Sequence, residues 1–540
     1  MKHKLTLTAI VCSALTLAAA KQTPCSANNI KTPEYFGLEV LNIQAQEVKD
    51  YNEWGIMAPM FQIASEPKPV TFCNVTVTYT HPGTNDNVNV CIALPTSDWN
   101  ERFIALGGGG LSGGFSEAHI AGLAAGYATA LTDSGHSMDP VNASSWALKS
   151  PGNIDWQLLQ DNGYLTLDDM TAISKQVVSS FYGKPAKYSY WNGCSNGGRQ
   201  GLVQAQRYPK NYDGILAAAP AIDWASFTVG MHWAHVQMIK HDYVPAACEL
   251  AAVHELVIEA CDELDGVKDG VISAPGLCHF DAKDAVGRKC CSSKSTITKK
   301  TADIVNAVWA GAEQDGQARR PGQGRDMPFG PEQQEAIGTG GLAQTWCEDG
   351  KCRQIPFMIS AQWLQYFIAK DPDYNPLKMS EDEFFNFLRR SSQEYGSVMN
   401  ADWTDLSEFK AAGGKMITWH GLADELLLPN TTAQYYDQVL EQDPSARDYY
   451  RYFEAPGVGH CFGGPGYYPG NVWDSLVDWV EKGKAPEELE GASPAGASRP
   501  ICQYPKVARY VGGDAKDASS FECAEDFGTK KADANGKDEL

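Results

Sequence analysis

Alternation of apolar and polar side chains in the first third of the chain predicts strands joined by tight turns. Val75-Thr-Val-Thr-Tyr-Thr80 is β-branched with period two. Asn87 to Leu94 repeats the pattern, and Pro82-Gly83 with Asn85-Asp86 between them is turn chemistry. Arg102 to Leu106 is a short apolar run that ends in the glycines Gly107 to Gly110. The period then changes. Met170, Ile173, Val177, Val178 and Phe181 recur at helical spacing, with Thr166 and Asp169 as a start box. Lys187 to Asn192 predicts a strand, Gly197 to Arg207 a helix, and Gly214 to Ala219 a buried strand.

The alternation stops near Trp224 and resumes late. Lys415 to His420 predicts a strand, Thr431 to Leu440 a helix and Tyr449 to Glu454 a strand. A final helix places Val472, Trp473, Leu476, Val477 and Val480 on one face and stops at Gly483. Strand–helix alternation implies an α/β fold with mostly parallel strands covered on both faces. Residues 233–395 differ in texture: they hold seven cysteines, an acidic loop and a Gly/Arg/Pro-rich stretch. The expected organisation is therefore one sheet domain in two parts, 21–232 and 396–536, interrupted by an insertion at 233–395. No repeat of solenoid period is present.

The ends carry addresses. Lys2, His3 and Lys4, the apolar run Leu5 to Leu17 and Ala18 to Ala20 have the layout of a cleaved secretory signal, residues 1–20. Its removal takes Cys12 and turns an odd fifteen cysteines into an even number, as expected in an oxidising compartment. Sequons at Asn74, Asn142 and Asn430 fit that route. No later run is apolar enough to span a bilayer, so a membrane is not an expected partner. A net charge of −22 over 540 residues argues against nucleic acid and against anionic lipid.

Gly193-Cys194-Ser195-Asn196-Gly197 lies between a predicted strand and a predicted helix and matches the nucleophile elbow G-x-S-x-G. Such an elbow calls for an acid and then a histidine after later strands. Asp424 and His460 hold those places. His460 would take the proton of Ser195, and Asp424 would orient the imidazole, with Glu425 as a competing acid. Oxyanion donors are expected from the Asn196 amide at a helix start and from the glycine run, at Gly108 and Gly109. Cys194 precedes the serine and Cys461 follows the histidine. If the triad forms, these two lie close, either as a disulfide clamp or as buried thiols.

Asp262, Glu263, Asp265 and Asp269 with glycines at 266 and 270 form an acidic loop bracketed by Cys261 and Cys278. Carboxylates of Asp262, Asp265 and Asp269 with carbonyls of Val267 and Val271 suit a structural Ca2+, and a solvated acidic loop is the competing reading. It is not an EF-hand.

Taken together, Cys194-Ser195, Asp424 and His460-Cys461 resemble the CS-D-HC arrangement of the fungal and bacterial tannase/feruloyl esterase family. Gly107 to Gly110, Gly193 to Arg199, Cys261 to Gly270, Gly413 to Asp424 and Pro456 to Cys461 extend the likeness along nearly the whole chain after residue 20. The resemblance implies an α/β-hydrolase core, a lid at 233–395 holding structural calcium, no organic cofactor, and hydrolysis of small phenolic-acid esters such as those of gallate or ferulate. It also implies a Cys194–Cys461 bond. Alongside it, Cys25–Cys73, Cys261–Cys278, Cys347–Cys352 and Cys502–Cys523 are expected pairs, with Cys248 joined to Cys290 or Cys291 and Cys91 to the other. Lys537-Asp-Glu-Leu540 departs from the pattern, since it is written as an ER-retention signal. That tail motivates an alternative function, a non-catalytic, ER-resident or calcium-dependent binding protein on an esterase scaffold.

Overall fold

The computed structural model describes residues 24–55, 58–63, 68–290, 295–330 and 341–528. The expected signal segment 1–20, Cys12, Cys291 and the tail 537–540 lie outside them.

A nine-stranded sheet organises the chain. Its strands are β1 Glu39–Tyr51, β2 Val70–Thr80, β3 Val88–Pro95, β4 Arg102–Leu106, β5 Ala128–Thr132, β6 Tyr188–Cys194, β7 Gly214–Ala218, β8 Lys415–Gly421 and β9 Tyr450–Ala455. In space they run β1-β2-β3-β5-β4-β6-β7-β8-β9. From β5 to β9 every neighbouring pair is parallel. The first three pairings, β1 with β2, β2 with β3 and β3 with β5, are antiparallel. The expectation of a mostly parallel sheet therefore holds for the half that is wound with helices. The β2–β3 half is antiparallel because a tight turn at residues 81–87 cannot carry the chain back to a parallel start.

Each core strand reads as its sequence dictates. Val75, Val77 and Tyr79 of β2 are buried while the threonines between them are part exposed. β6, β7 and β8, covered on both sides, are buried almost along their length. Helices α1 Thr166–Tyr182, α2 Asn196–Arg207, α3 Pro429–Gln442 and α4 Val472–Lys482 cover the sheet. α1 and α4 end on left-handed glycines, Gly183 and Gly483, at φ of 72° and 71°. Thr166 is the first residue of α1 but does not cap a free helix start. The helix is entered from Trp156–Gln160 through a π-turn at Asp161–Leu165, and the Thr166 hydroxyl donates to the Asp161 carbonyl at 2.8 Å. Asp169, the other half of the expected box, instead accepts from Tyr79 at 3.0 Å and faces His81 Nε2 at 3.2 Å. That contact, countering burial, lifts the His81 imidazole to about 9 and pins the β2–β3 turn to α1.

Between β7 and β8 the insertion builds its own core. Helices Trp233–Lys240, Ala247–Cys261, Lys299–Ala310 and Glu381–Met399 surround an aromatic centre. Trp363 lies 6.0 Å from Trp224, 4.4 Å from Phe367 and 5.3 Å from Tyr395, ring centre to ring centre. The same buried cluster includes Leu111, Leu426 and Leu427. The insertion thus packs directly on the loops after β4 and β8. Beyond α4, two short antiparallel pairs form, Glu488–Ala492 with Ser498–Cys502 and Val507–Tyr510 with Phe521–Ala524.

Disulfides join Cys25–Cys73, Cys194–Cys461, Cys261–Cys278, Cys347–Cys352 and Cys502–Cys523. Cys248 is also disulfide-bonded. The remaining expectation is corrected: Cys91 and Cys290 are free thiols. Cys91 lies on β3 of the large sheet, whereas Cys290 packs in the core of the insertion, so neither can reach the other.

Candidate active site

Ser195 stands alone between the end of β6 and the start of α2, at φ 64° and ψ −122°. A residue with a side chain is strained there by about 1–3 kcal/mol. The strain is imposed by three backbones in contact. A Cβ on Gly193 would meet the Gly197 carbonyl carbon at 2.6 Å, and one on Gly107 would meet Gly197 Cα at 2.5 Å. The glycines therefore let strand end, helix start and the loop after β4 touch. Ser195 N–H donates to the Ala218 carbonyl at 3.1 Å, and its own carbonyl accepts from Arg199 at 3.0 Å and Ala221 at 3.1 Å. With the backbone held on both sides, the part-exposed side chain projects between buried neighbours.

Asp424 follows β8 and is fully buried. Its Oδ1 accepts from the amides of Leu426 at 2.9 Å and Leu427 at 2.8 Å. Its Oδ2 lies 2.8 Å from His460 Nδ1 and 2.9 Å from His420 Nε2. Burial alone would raise this carboxyl, but the charge of His460 and the hydrogen bonds from both histidines hold it well below the usual carboxylate range. Conversely, burial would lower the His460 imidazole, but the Asp424 carboxylate, helped by Glu425, raises it. Glu425 has a different task from Asp424: its Oε2 accepts the His460 backbone N–H at 3.0 Å.

The Cys194–Cys461 bond joins the residue before the serine to the residue after the histidine, with Cα atoms 5.9 Å apart across 267 residues of chain. Ser195 and His460 are thereby tied through their backbones.

Around the expected oxyanion position one expectation is corrected. The Gly108 amide donates to Gln200 Oε1 at 2.9 Å, so it is not aimed at a substrate. Gln200 sits one turn into α2 and faces the glycine loop, which consumes that donor. Gly109 packs against Phe115, whose ring a Cβ would meet at 2.8 Å. Asn196, at the start of α2, is fully buried; its Nδ2 donates to the Ser112 carbonyl at 3.1 Å, and its Oδ1 accepts from Arg199 Nε at 2.7 Å. The Arg199 guanidinium also donates to the carbonyls of Asn162, Gly163 and Met399. It thereby gathers α2, the π-turn and the last turn of the insertion around Asn196. Sequence reasoning passed over Gln200 and assigned Arg199 no role, because a polar side chain on a helix carries no periodic signal of what it meets.

The acidic loop is ordered by its own amides. Asp262 accepts from the amides of Asp269 at 3.1 Å and Gly270 at 3.0 Å, Asp265 from Val267 at 3.0 Å, and Asp269 from Val271 at 3.1 Å. Asp262, Asp265, Val267 and Val271 are buried. One guanidinium faces the group: Arg499, 230 residues away in sequence, reaches Asp265 at 3.2 Å and Asp269 at 2.8 Å. The three carboxylates do not converge into one cluster. Among the described residues the group of three whose ligand atoms lie within 4.8 Å of one another is His81, Asp86 and Asp161, where the imidazole is already engaged by carboxylates.

Comparison with known proteins places this geometry. A family model described as tannase and feruloyl esterase matches residues 73–524. A probable feruloyl esterase of Arthroderma benhamiae is 37% identical, over 97% of this chain and 98% of its own. A mono(2-hydroxyethyl) terephthalate hydrolase of Piscinibacter sakaiensis is 32% identical, over 79% of this chain and 80% of its own. Among solved structures, a tannin acyl hydrolase from Aspergillus niger shares the fold with a TM-score of 0.82 at 24% identity, covering 93% of this chain and 95% of its own. The likeness runs along most of the chain, and the protein belongs to the tannase and feruloyl esterase family.

Proposed function

We propose that this carboxylic ester hydrolase cleaves small esters of phenolic acids through an acyl-enzyme on Ser195. The observation that carries the reading is the Asp424–His460 contact at 2.8 Å, tied by the Cys194–Cys461 bond to a serine held at a left-handed elbow. Asp424, ionised and acceptor-only, assigns the proton to His460 Nδ1 and leaves Nε2 to act as base. Ser195 Oγ attacks the ester carbonyl carbon, and its proton passes to His460 Nε2. The carbonyl oxygen becomes an oxyanion facing the amides of Asn196 and Gly109. The C–O bond then breaks, and His460 returns the proton to the leaving alkoxide. Water repeats the sequence, with His460 again as base, and frees the acid. The insertion supplies the wall against the aromatic acid, since its apolar core is continuous with Leu111, Leu426 and Leu427 beside the site. We take 233–395 as the lid on this basis. The names of the relatives, a feruloyl esterase and a hydrolase of a terephthalate ester, support an aromatic acyl group.

Initial rates on methyl gallate, ferulate, caffeate and coumarate against methyl acetate and butyrate test the reading. The expected result is a preference for one aromatic group by about 10²-fold or more over the short aliphatic esters. Equal rates on all six would overturn it.

The acidic loop takes a structural Ca2+ in this reading. Of the three carboxylates, Asp265 and Asp269 share the Arg499 guanidinium while Asp262 accepts from backbone amides, so the loop has oxygen donors and negative charge in excess of that cation. Asp262, Asp265 and Asp269, drawn together from the separate amide bonds they make here, would hold the ion with the carbonyls of Val267 and Val271 and stiffen the loop. Metal analysis is expected to find one calcium per chain. Chelation of protein held at free calcium a hundred times its Kd should cost about 2–3 kcal/mol of stability and lower Tm, with recovery on adding calcium. Metal-free protein with an unchanged Tm would remove calcium from the account. The route of the enzyme is the secretory pathway, supported by its disulfides. Among the described residues no helix is long and apolar enough to cross a membrane. The tail that motivated a binding-protein reading lies outside those residues.

A further inference from the structure

The catalytic carboxylate is shared between two imidazoles. His420 is the penultimate residue of β8 and is fully buried, as are Asp424 and Thr432. Its Nε2 lies 2.9 Å from the same Asp424 oxygen that holds His460, and its Nδ1 lies 2.8 Å from Thr432 Oγ1 on α3. Asp424 as an acceptor puts the His420 proton on Nε2, and Nδ1 then accepts from the Thr432 hydroxyl. The second imidazole therefore competes with the first for negative charge on Oδ2.

We propose that His420 is a positioning residue that tunes the base strength of His460 through Asp424, with Thr432 fixing its tautomer. A carboxylate that accepts a further hydrogen bond is less basic and stabilises the imidazolium of its other partner less. The groups that face Asp424 are His420, His460 and the amides of Leu426 and Leu427. The charged groups that face His460 are Asp424 and Glu425. Glu425 stays in place in every variant below, so the change in field comes from His420 alone. His420 thus acts as a counterweight. It keeps His460 neutral, and able to accept the serine proton, at a lower pH than Asp424 would allow by itself. The Thr432 hydroxyl is part of the device because it gives Nδ1 a donor and so adds to the preference for the tautomer that donates to Asp424.

The sign of the test follows. Without the His420 donor, Asp424 holds the His460 proton harder, the imidazolium persists to higher pH, and the acid limb of kcat/KM moves up. Glutamine places its amide nitrogen where Nε2 was, and asparagine places its own near Nδ1, within reach of Thr432 only. His420→Asn is therefore expected to shift the acid limb upward by about half a pH unit and to lower kcat about tenfold. His420→Gln is expected to keep the limb where the unmodified enzyme has it. A merely structural role would lower Tm in both variants and leave the limb unmoved in both, and that result overturns the proposal. If neither variant folds, Thr432→Val decides: an upward shift of smaller size supports the proposal and an unchanged limb overturns it. The inference rests on the Ser195–His460 reading. An active Ser195→Ala enzyme would overturn that reading, whereas an unmoved limb in an enzyme that Ser195→Ala silences would overturn only this one.

Discussion

Ser195→Ala is expected to lower kcat on phenolic-acid methyl esters by about 10⁵- to 10⁶-fold, because removing the nucleophile of such a unit costs about as much as removing all of it. The fold should survive. Alanine keeps the Cβ, so the elbow at φ 64° holds the same strain, and the backbone bonds to Ala218, Arg199 and Ala221 do not involve the hydroxyl. Circular dichroism and Tm should match those of the unmodified enzyme, and a fluorophosphonate probe that labels the latter should leave the variant unlabelled. Turnover retained within tenfold would mean that Ser195 is not the nucleophile.

The double variant Cys194→Ala/Cys461→Ala has the second largest expected effect. Both cysteines are buried, and the bond is the covalent link between the elbow and the loop of the base. Two losses follow. The unfolded chain regains the freedom of a very long loop, about 5–6 kcal/mol in the chain-entropy account. In the folded protein the His460 loop is left with the Glu425 and Asp424 contacts and with turns such as Gly459 to Gly463. A displacement of about 1 Å between base and nucleophile costs on the order of 10²-fold in rate. The expected outcome is therefore a kcat lower by about 10²-fold at a temperature where circular dichroism shows the variant fully folded. Full activity in the folded variant would leave the bond with a stabilising role only.

Much of this site was legible because its chemistry constrains small residues and chain order. The turn around Ser195 needs glycine where backbones touch, and glycine is visible in a sequence. Ser195, Asp424 and His460 each follow a strand that reads clearly from its apolar run, so their shared sheet edge could be inferred. The lost donor at Gly108 was invisible, because it depends on where one helical glutamine points. His420 was equally invisible, since a histidine on an apolar strand carries no mark of what it meets across a loop. Arg499 bonds the acidic loop from 230 residues away with no sequence pattern to announce it. In the fold, β1 escaped notice because none of its side chains is fully buried, so it shows no apolar alternation. β5, Ala128-Thr-Ala-Leu-Thr132, is buried throughout but too short and too small in its side chains to register as a strand. Cys91 was expected to pair with Cys290 or Cys291, whichever Cys248 left, yet Cys91 and Cys290 are both free, since pairing is decided by distance and not by parity.

The Cys194–Cys461 bond spans the whole insertion between β7 and β8. A protease cut anywhere in that insertion would divide the polypeptide into a piece carrying the nucleophile and a piece carrying the acid and the base. Those pieces would stay joined by the bond and by the parallel pairing of Lys415 to Ile417 with Gly214 to Leu216. The molecule is thus built to persist as a two-chain enzyme, migrating as one species until a reductant separates it. Such a cut would cost it a covering and leave its reacting groups assembled.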